Sequence, residues 1–394
     1  MRKKILFVYH VSSIGGGSFC LLNILKNLDR DRIEPCVLLC KHGPLVEEIR
    51  ALNIQVLLLN SMRPVPYNKA CVTLNSILNA CFMARSFKRF GEILDDVNPD
   101  SIYCNTMMLY PYLKVGKMHG CKTFIHIREH WPEGEHRWQR NMAFKHIAKY
   151  ADRIIGINHY SASMVEPYGR KATIVYDWID LSSRYEKYPL NEVFNEDMTN
   201  KKVFLYLGGM QEIKGAWEVL TAFTEYLKDD NYRLLALGIN INYRSDGLKG
   251  LVKKILTFIG RKPYSERVIE TAKSDNRIKC IPSVYNIKHI YEQTYCVLSY
   301  FTIPHANLAL AESIISNTLT VAARTEESIE YSDNENLAVL FKIGDLHDFR
   351  EKIESIQVVH DTVLDKIKVD SWKLKELFAP DINIKRLNGL LMDL

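Results

Sequence analysis

The sequence has no Cys-x-x-Cys pair, no long apolar run and no block of like charge, and each gap removes a class of protein. Nine cysteines lie scattered over 394 residues, at Cys20, Cys36, Cys40, Cys71, Cys81, Cys104, Cys121, Cys280 and Cys296. Their odd number, irregular spacing and mostly apolar flanks predict free thiols in a reducing cytosol, with neither a disulfide framework nor a zinc site. No stretch approaches the roughly 20 apolar residues needed to cross a bilayer. The opening Met1-Arg2-Lys3-Lys4, followed by Ile5 to Val11, imitates a secretion signal. Its apolar run is short, holds His10 and meets Gly15-Gly16-Gly17 without an Ala-x-Ala site, so it reads as a first strand. Nucleic acid is excluded as a partner by the lack of a dense Lys/Arg tract with interleaved aromatics. Metal-ligand spacings, a Ser/His/Asp order and a Gly-x-x-x-x-Gly-Lys-Ser/Thr loop are missing as well.

What is present is ordinary soluble-protein chemistry, with 47% hydrophobic and 25% charged residues. The net charge of +6 and the isoelectric point near 8.7 suit anionic small molecules or an anionic membrane surface. The length suggests two domains, each with its own core.

Strand-like and helix-like segments alternate from the start. Strands are expected at Ile5–Tyr9, Cys36–Cys40, Gln55–Leu59, Ser101–Cys104, Thr123–Ile127, Arg153–Ile157 and Ala172–Tyr176. Helices are expected over Ser18–Leu28, Pro44–Leu52, Lys69–Val97, Leu109–His119, Trp138–Tyr150 and Ser161–Tyr168. Repeated alternation of this kind means a parallel sheet covered on both faces. The first domain is placed at 1–178. Residues 179–201 are polar and lack a sustained period, so they read as a linker. The pattern restarts in a second domain, 202–378, with strands at Val203–Leu207, Arg233–Leu237, Ile278–Ile281, Val297–Tyr300, Leu319–Ala323 and Ala338–Phe341, and a helix at Ala216–Leu227. The tail 379–394 is expected to form an amphipathic helix with Ile384, Leu387, Leu390 and Leu391 on one side, packing back on the first domain.

The stretch Pro304 to Val321 reads as a loop, a helix from about Ala306 to Asn317 and a buried strand. A helix start aimed into a cleft suits a diphosphate, because its N–H groups are unpaired and its end is partially positive. Glu312 lies on a face otherwise made of Leu308, Ala309, Leu310 and Ala311, where it either reaches water or accepts hydrogen bonds from a ligand. Gly15, Gly16 and Gly17 open the first helix directly after the first strand, and mark either a tight turn or a close approach to phosphate or sugar. Gly208 and Gly209 end the first strand of the second domain, and Lys214-Gly215 opens its next helix. A lysine there opposes the helix dipole, which an anionic ligand would explain. His126 and Arg128 sit at a strand end, where open parallel sheets bind ligands. They offer a proton donor or acceptor and a guanidinium fork, unless an Arg–Glu pair merely ties the loop down. Asn105 ends a neighbouring strand. The segment 244–262 joins six basic residues to an apolar stripe, as in a helix that lies on an anionic membrane or an ordinary surface helix.

These stretches together resemble the retaining nucleotide-sugar glycosyltransferases of family 4, over nearly the whole chain. The resemblance rests on Gly15-Gly16-Gly17-Ser18, His126-Ile127-Arg128-Glu129, Leu207-Gly208-Gly209 with Lys214-Gly215, the Asn307–Val321 block, and Val175-Tyr176-Asp177-Trp178 entering the second domain. It implies the GT-B fold, two Rossmann-like doubly wound domains facing a cleft. It also implies transfer of a sugar from a nucleotide diphosphate to a polysaccharide or lipid-linked acceptor, with retention of configuration and without a metal or other cofactor. The donor phosphates would meet Lys214, Asn307 and Leu308, and its ribose would meet Glu312. Gly15 to Gly17 and Gly208 would approach the donor. His126 would be the candidate catalytic group, with Asn105, Arg128 and His305 as phosphate or acceptor contacts. The scattered thiols place the chain in the cytoplasm, and it is peripheral on the cytoplasmic face of a membrane if the stripe 244–262 docks there.

The sequence departs from the family's pattern at four places. Pro304 replaces a sugar-contacting Glu, with His305 beside it. Gly209 replaces an Arg, Asp177 replaces an Asn, and Asn317-Thr318-Leu319 replaces a Gly-x-Pro. Pro304 and Gly209 keep a second reading open, a nucleotide- or sugar-binding protein of the same fold that acts through partners. A sugar epimerase would need more acid and base groups than the sequence places at these strand ends.

Overall fold

The computed structural model describes residues 2–66, 74–134, 136–179, 187–242, 262–284 and 287–393, with the side chains of 74–81 left out. The basic stripe 244–262 therefore falls outside the described residues, save Lys262.

The chain divides into two compact units, Met1–Trp178 with Phe378–Leu394, and Ile179–Leu377. The first holds a parallel sheet of seven strands, β1 (Lys3–Tyr9), β2 (Ile33–Leu39), β3 (Gln55–Leu58), β4 (Ser101–Cys104), β5 (Lys122–Ile127), β6 (Arg153–Gly156) and β7 (Thr173–Ile174), in the order β3-β2-β1-β4-β5-β6-β7. The second holds six, β8 (Lys202–Tyr206), β9 (Tyr232–Leu237), β10 (Ile278–Ile281), β11 (Cys296–Ser299), β12 (Leu319–Arg324) and β13 (Val339–Lys342), in the order β10-β9-β8-β11-β12-β13. The central strands are continuous runs of Ile, Leu, Val and Phe because helices bury both faces of each sheet.

In the first unit, alternate residues of each strand feed separate cores. Leu6, Val8, Ile102, Cys104 and Ile125 pack with Phe90, Tyr112 and Phe144 from the helices Leu74–Val97, Tyr110–Met118 and Arg137–Tyr150. Ile5, Phe7, Tyr103 and Phe124 face the other way, onto Leu21 and Leu25 of the helix Gly16–Lys26. The tail helix Pro380–Met392 adds Leu387 and Leu391 to this second core. Asn383 and Asn388 fix it by accepting the N–H groups of Tyr176 (3.1 Å) and Asp29 (3.2 Å).

Two stretches differ from the sequence reading. Residues expected as linker hold a short helix, Leu190–Phe194, and Leu190, Phe194 and Met198 are buried with Val203 and Leu235 in the core of the second unit. The apolar spacing of four residues, diluted by Asn and Glu, explains the difference. Between Phe341 and Ile382 the sequence reading names no element, yet a 25-residue helix, Leu346–Asp370, runs there. Its start is capped by the Asp345 carboxylate, which accepts from the N–H groups of His347 (3.1 Å) and Asp348 (3.2 Å). It buries Phe349, Ile353, Ile356, His360 and Ile367 at helical spacing.

Candidate functional site

Each sheet reverses its strand order at one place, between β1 and β4 in the first and between β8 and β11 in the second. Loops leaving the carboxyl ends of such a pair diverge to opposite faces and open a crevice, where doubly wound sheets bind ligands.

In the second unit the loop after β8 carries Gly208 and Lys214, and the loop after β11 leads to the helix Leu308–Ile315. The two loops are tied directly, the Thr302 N–H donating to the Ile213 carbonyl at 3.0 Å. The buried Tyr206 hydroxyl braces the first loop against the Gly209 (3.1 Å) and Lys214 (3.0 Å) carbonyls. Gly208 makes room for that hydroxyl, since an added Cβ would lie 1.9 Å from it. Gly208→Ala is therefore expected to displace Tyr206, cost about 1–3 kcal/mol in denaturant unfolding, and weaken any ligand held by Lys214. Gly215, at φ +62°, is packed against the Tyr300 ring, so no side chain fits there. Gly209 is also left-handed, at φ +63°, a strained setting for the arginine found there in the family that the sequence resembles.

Lys214 is half-buried and has no carboxylate partner among the described residues. Burial pushes its pKa down from the ordinary lysine value. The helix beyond is uncapped, because Asn307 at its N-cap turns its side-chain amide to Ser299 Oγ (2.9 Å). The first turn also lacks an acidic residue. Glu312 follows on the same helix. Its Oε2 accepts from the Tyr291 hydroxyl at 2.9 Å, while Oε1 has no partner among the described residues. Burial raises its pKa to about 7, against the lowering effect of that hydrogen bond. Leu308 is the first helical residue, and His305 lies in the preceding loop with its ring 5.5 Å from that of Phe301.

In the first unit Asn105 follows β4 and His126 lies near the end of β5, side by side by extension of the β4–β5 register. Arg128 joins them, its Nε donating to Asn105 Oδ1 (3.1 Å) and its Nη2 lying 3.2 Å from His126 Nδ1. Its Nη1 donates to both oxygens of Asp177, each at 2.6 Å. The guanidinium is thus already paired; burial pulls its pKa down most, but the charge and hydrogen bonds of Asp177, together with Cys20 and Tyr103, hold it above the ordinary arginine value. Glu129, the partner that the sequence offered for Arg128, instead pins the loop after β4. It accepts from the Thr106 hydroxyl and from the N–H groups of Met107 (3.0 Å) and Arg128 (3.1 Å).

The arrangement also sets the tautomer of His126. A guanidinium only donates, so the facing Nδ1 must accept, and the proton of the neutral ring sits on Nε2. Tyr103 Oη, 2.6 Å from Nδ1, is a second donor to it. Burial, then the charge of Arg128, push the His126 pKa well below the ordinary histidine value. Both His126 Nε2 and Asn105 Nδ2 are buried donors without a partner among the described residues. Gly17 lies over Tyr9, where a Cβ would come 2.5 Å from the hydroxyl, whereas a Cβ at Gly15 or Gly16 would meet nothing within 4 Å. Nothing in the sequence pattern marks Tyr103 as part of the site, and the one signal for Asp177 is that it stands where the family that the sequence resembles has an amide.

No protein-family model matches the chain, and no curated protein matches its sequence. Solved structures do. HepE of Anabaena, in complex with UDP and glucose, is 17% identical with a TM-score of 0.72, over 100% of both chains. The sucrose-phosphate synthase of Thermosynechococcus elongatus is 13% identical with a TM-score of 0.67, over 99% of this chain and 98% of its own. A UDP-N-acetylglucosamine 2-epimerase is 11% identical with a TM-score of 0.57, over 93% and 91%. The fold is GT-B, as the resemblance implied. Among the described residues no helix is long and apolar enough to cross a membrane.

Proposed function

We propose that the chain is a retaining glycosyltransferase of family 4. It would move a sugar from a nucleotide diphosphate to a saccharide or lipid-linked acceptor. The observation that carries this reading is Lys214, a partly desolvated ammonium without a carboxylate partner among the described residues, on a loop tied to the one that leads to an uncapped helix start. Both suit a diphosphate whose negative charge grows as the sugar leaves. Glu312 Oε1, without a partner among the described residues, suits the ribose hydroxyls one and a half turns further on. The acceptor hydroxyl attacks the anomeric carbon as the bond to the diphosphate breaks, and its proton passes to the departing phosphate oxygen. On this reading the protein supplies position and charge, and needs no metal. His126, neutral and protonated on Nε2, serves as a hydrogen-bond donor and not as a base. The UDP and glucose of HepE make uridine nucleotide sugars the first donors to try.

The epimerase shares the fold, so the site must discriminate. Epimerisation needs groups free to move a proton at carbon. In the first unit Glu129 is held by three donors, Asp177 by Arg128, and the accepting nitrogen of His126 by Arg128 and Tyr103. That favours transfer.

Glu312 supplies the test. With its pKa near 7 in the folded chain, it is mostly protonated a unit below that and mostly ionised a unit above. Its buried charge lowers folding stability as pH rises from about 4.3, the unfolded carboxyl value, through 7. Ribose hydroxyls donate more strongly to the ionised form, so nucleotide affinity measured by calorimetry should rise with pH through that range. The rise specific to Glu312 should vanish in Glu312→Gln, which keeps the contribution of the phosphate's own ionisation. A Glu312→Ala chain that binds nucleotide as well as the parent would remove the ribose assignment.

A further inference from the structure

We infer that Arg267 is a second cation of the donor site and grips the diphosphate together with Lys214. The inference rests on the transfer reading and adds a residue to it. Arg267 ends the first turn of the helix Tyr264–Ser274. That helix packs against the helix Ala216–Tyr226, which Lys214-Gly215 opens. Tyr264 joins the two helix starts. Its hydroxyl accepts the Trp217 N–H at 3.0 Å and donates to Glu218 Oε2 at 2.7 Å. Trp217 is the second residue of its helix and follows closely on Lys214. Burial first, then the nearness of Tyr264 and Glu218, push the pKa of the Tyr206 hydroxyl well up. That hydroxyl also braces the Lys214 carbonyl, so the start of the helix Tyr264–Ser274 borders the Lys214 loop.

The guanidinium carbon of Arg267 stands 3.8 Å from the centre of the Trp217 ring and 5.4 Å from that of Tyr264. Stacking of this kind fixes the plane of the fork. Arg267 is half-buried and its Nε is buried outright, yet it makes no hydrogen bond or ion pair among the described residues. Glu218 Oε2, on the adjoining helix turn, is taken by Tyr264 instead. Donors left unmet in such a place cost stability unless a ligand meets them. The chemistry that fits a fixed fork is a phosphate group, which accepts two parallel N–H bonds from it. A nucleoside diphosphate departs with more than one negative charge, and Lys214 answers one of them. A point charge and a planar fork together answer the charge that grows as the sugar leaves.

The test is calorimetry of the full chain with uridine diphosphate, inorganic pyrophosphate and uridine. Arg267→Met keeps an apolar stem over Trp217 and removes the charge. It should lower the affinity for uridine diphosphate and for pyrophosphate on the order of tenfold to a hundredfold, the worth of a hydrogen bond to a charged group. Its affinity for uridine should stay that of the parent. Arg267→Lys, which restores the charge without the fork, should recover part of the loss. Thermal unfolding without ligand should change little in either variant, since no hydrogen bond is removed. Equal losses for uridine and uridine diphosphate would place Arg267 on the base and overturn the inference. An Arg267→Met chain that binds the diphosphate as well as the parent would overturn it too. If Lys214→Ala still weakens the diphosphate in that case, the transfer reading stands and Arg267 alone leaves the site. If Lys214→Ala does not, both fall.

Discussion

Asp177→Ala is expected to lower the unfolding free energy by about 3–5 kcal/mol, because it strands a buried guanidinium without its counter-charge. Arg128 is held below the surface with its side chain 9% exposed, and Asp177 supplies the only carboxylate that pairs with it among the described residues. Urea unfolding measures the loss. Asp177→Asn, which keeps one acceptor oxygen, should cost less. A double change, Asp177→Leu with Arg128→Met, should recover much of the stability, since replacing both partners by apolar groups leaves no charge unpaired. Nucleotide affinity in the second unit should survive all three changes. A loss below about 1 kcal/mol, the size typical of an exposed pair, would mean that water reaches Arg128.

Lys214→Ala is expected to act in the opposite manner, on function and not on stability. Removing one preorganised group that stabilises developing negative charge costs about 10²–10³ in rate. The affinity for a nucleoside diphosphate should fall with it, while the affinity for the nucleoside alone should not change. Stability should hold or rise, because burial already disfavours the charged form of Lys214 and no carboxylate partner is lost. Calorimetry with both ligands separates a phosphate contact from a general disturbance of the loop. A variant that binds the diphosphate as well as the parent would dismiss Lys214 from the site.

Much of the architecture was legible in the sequence because parallel strands buried on both faces are unbroken apolar runs. Ser101–Cys104, buried at all four residues, falls where the pattern places it. The helix Leu346–Asp370 was not legible by the same means, since its buried residues are spread through a polar stretch. Its Asp345 cap and the spacing of Phe349, Ile353 and Ile356 were the signals available. Lys214 stood out because it opposes a helix dipole, which local stability does not explain. The role of Asp177 was hidden, since its contact with Arg128 spans 49 residues and depends on which strands are neighbours. The same contact changes the meaning of Arg128. Read alone it is a fork for phosphate, but in the fold its charge is matched by Asp177 and its donors orient Asn105 and His126. The departures at Gly209 and Pro304 differ in kind. The first follows from a left-handed backbone, and the second from nothing in the fold described here.

The central claim is that the chain turns over a nucleotide sugar at Lys214 and Glu312. The most direct measurement incubates the full chain with a panel of radiolabelled nucleotide sugars, uridine nucleotides first, and follows release of free or transferred sugar and its anomeric configuration. Slow turnover of at least one donor with retention is expected, lowered about 10²–10³-fold in Lys214→Ala. Tight nucleotide binding with no turnover of any donor would contradict it, and would identify a binding protein built on a glycosyltransferase fold.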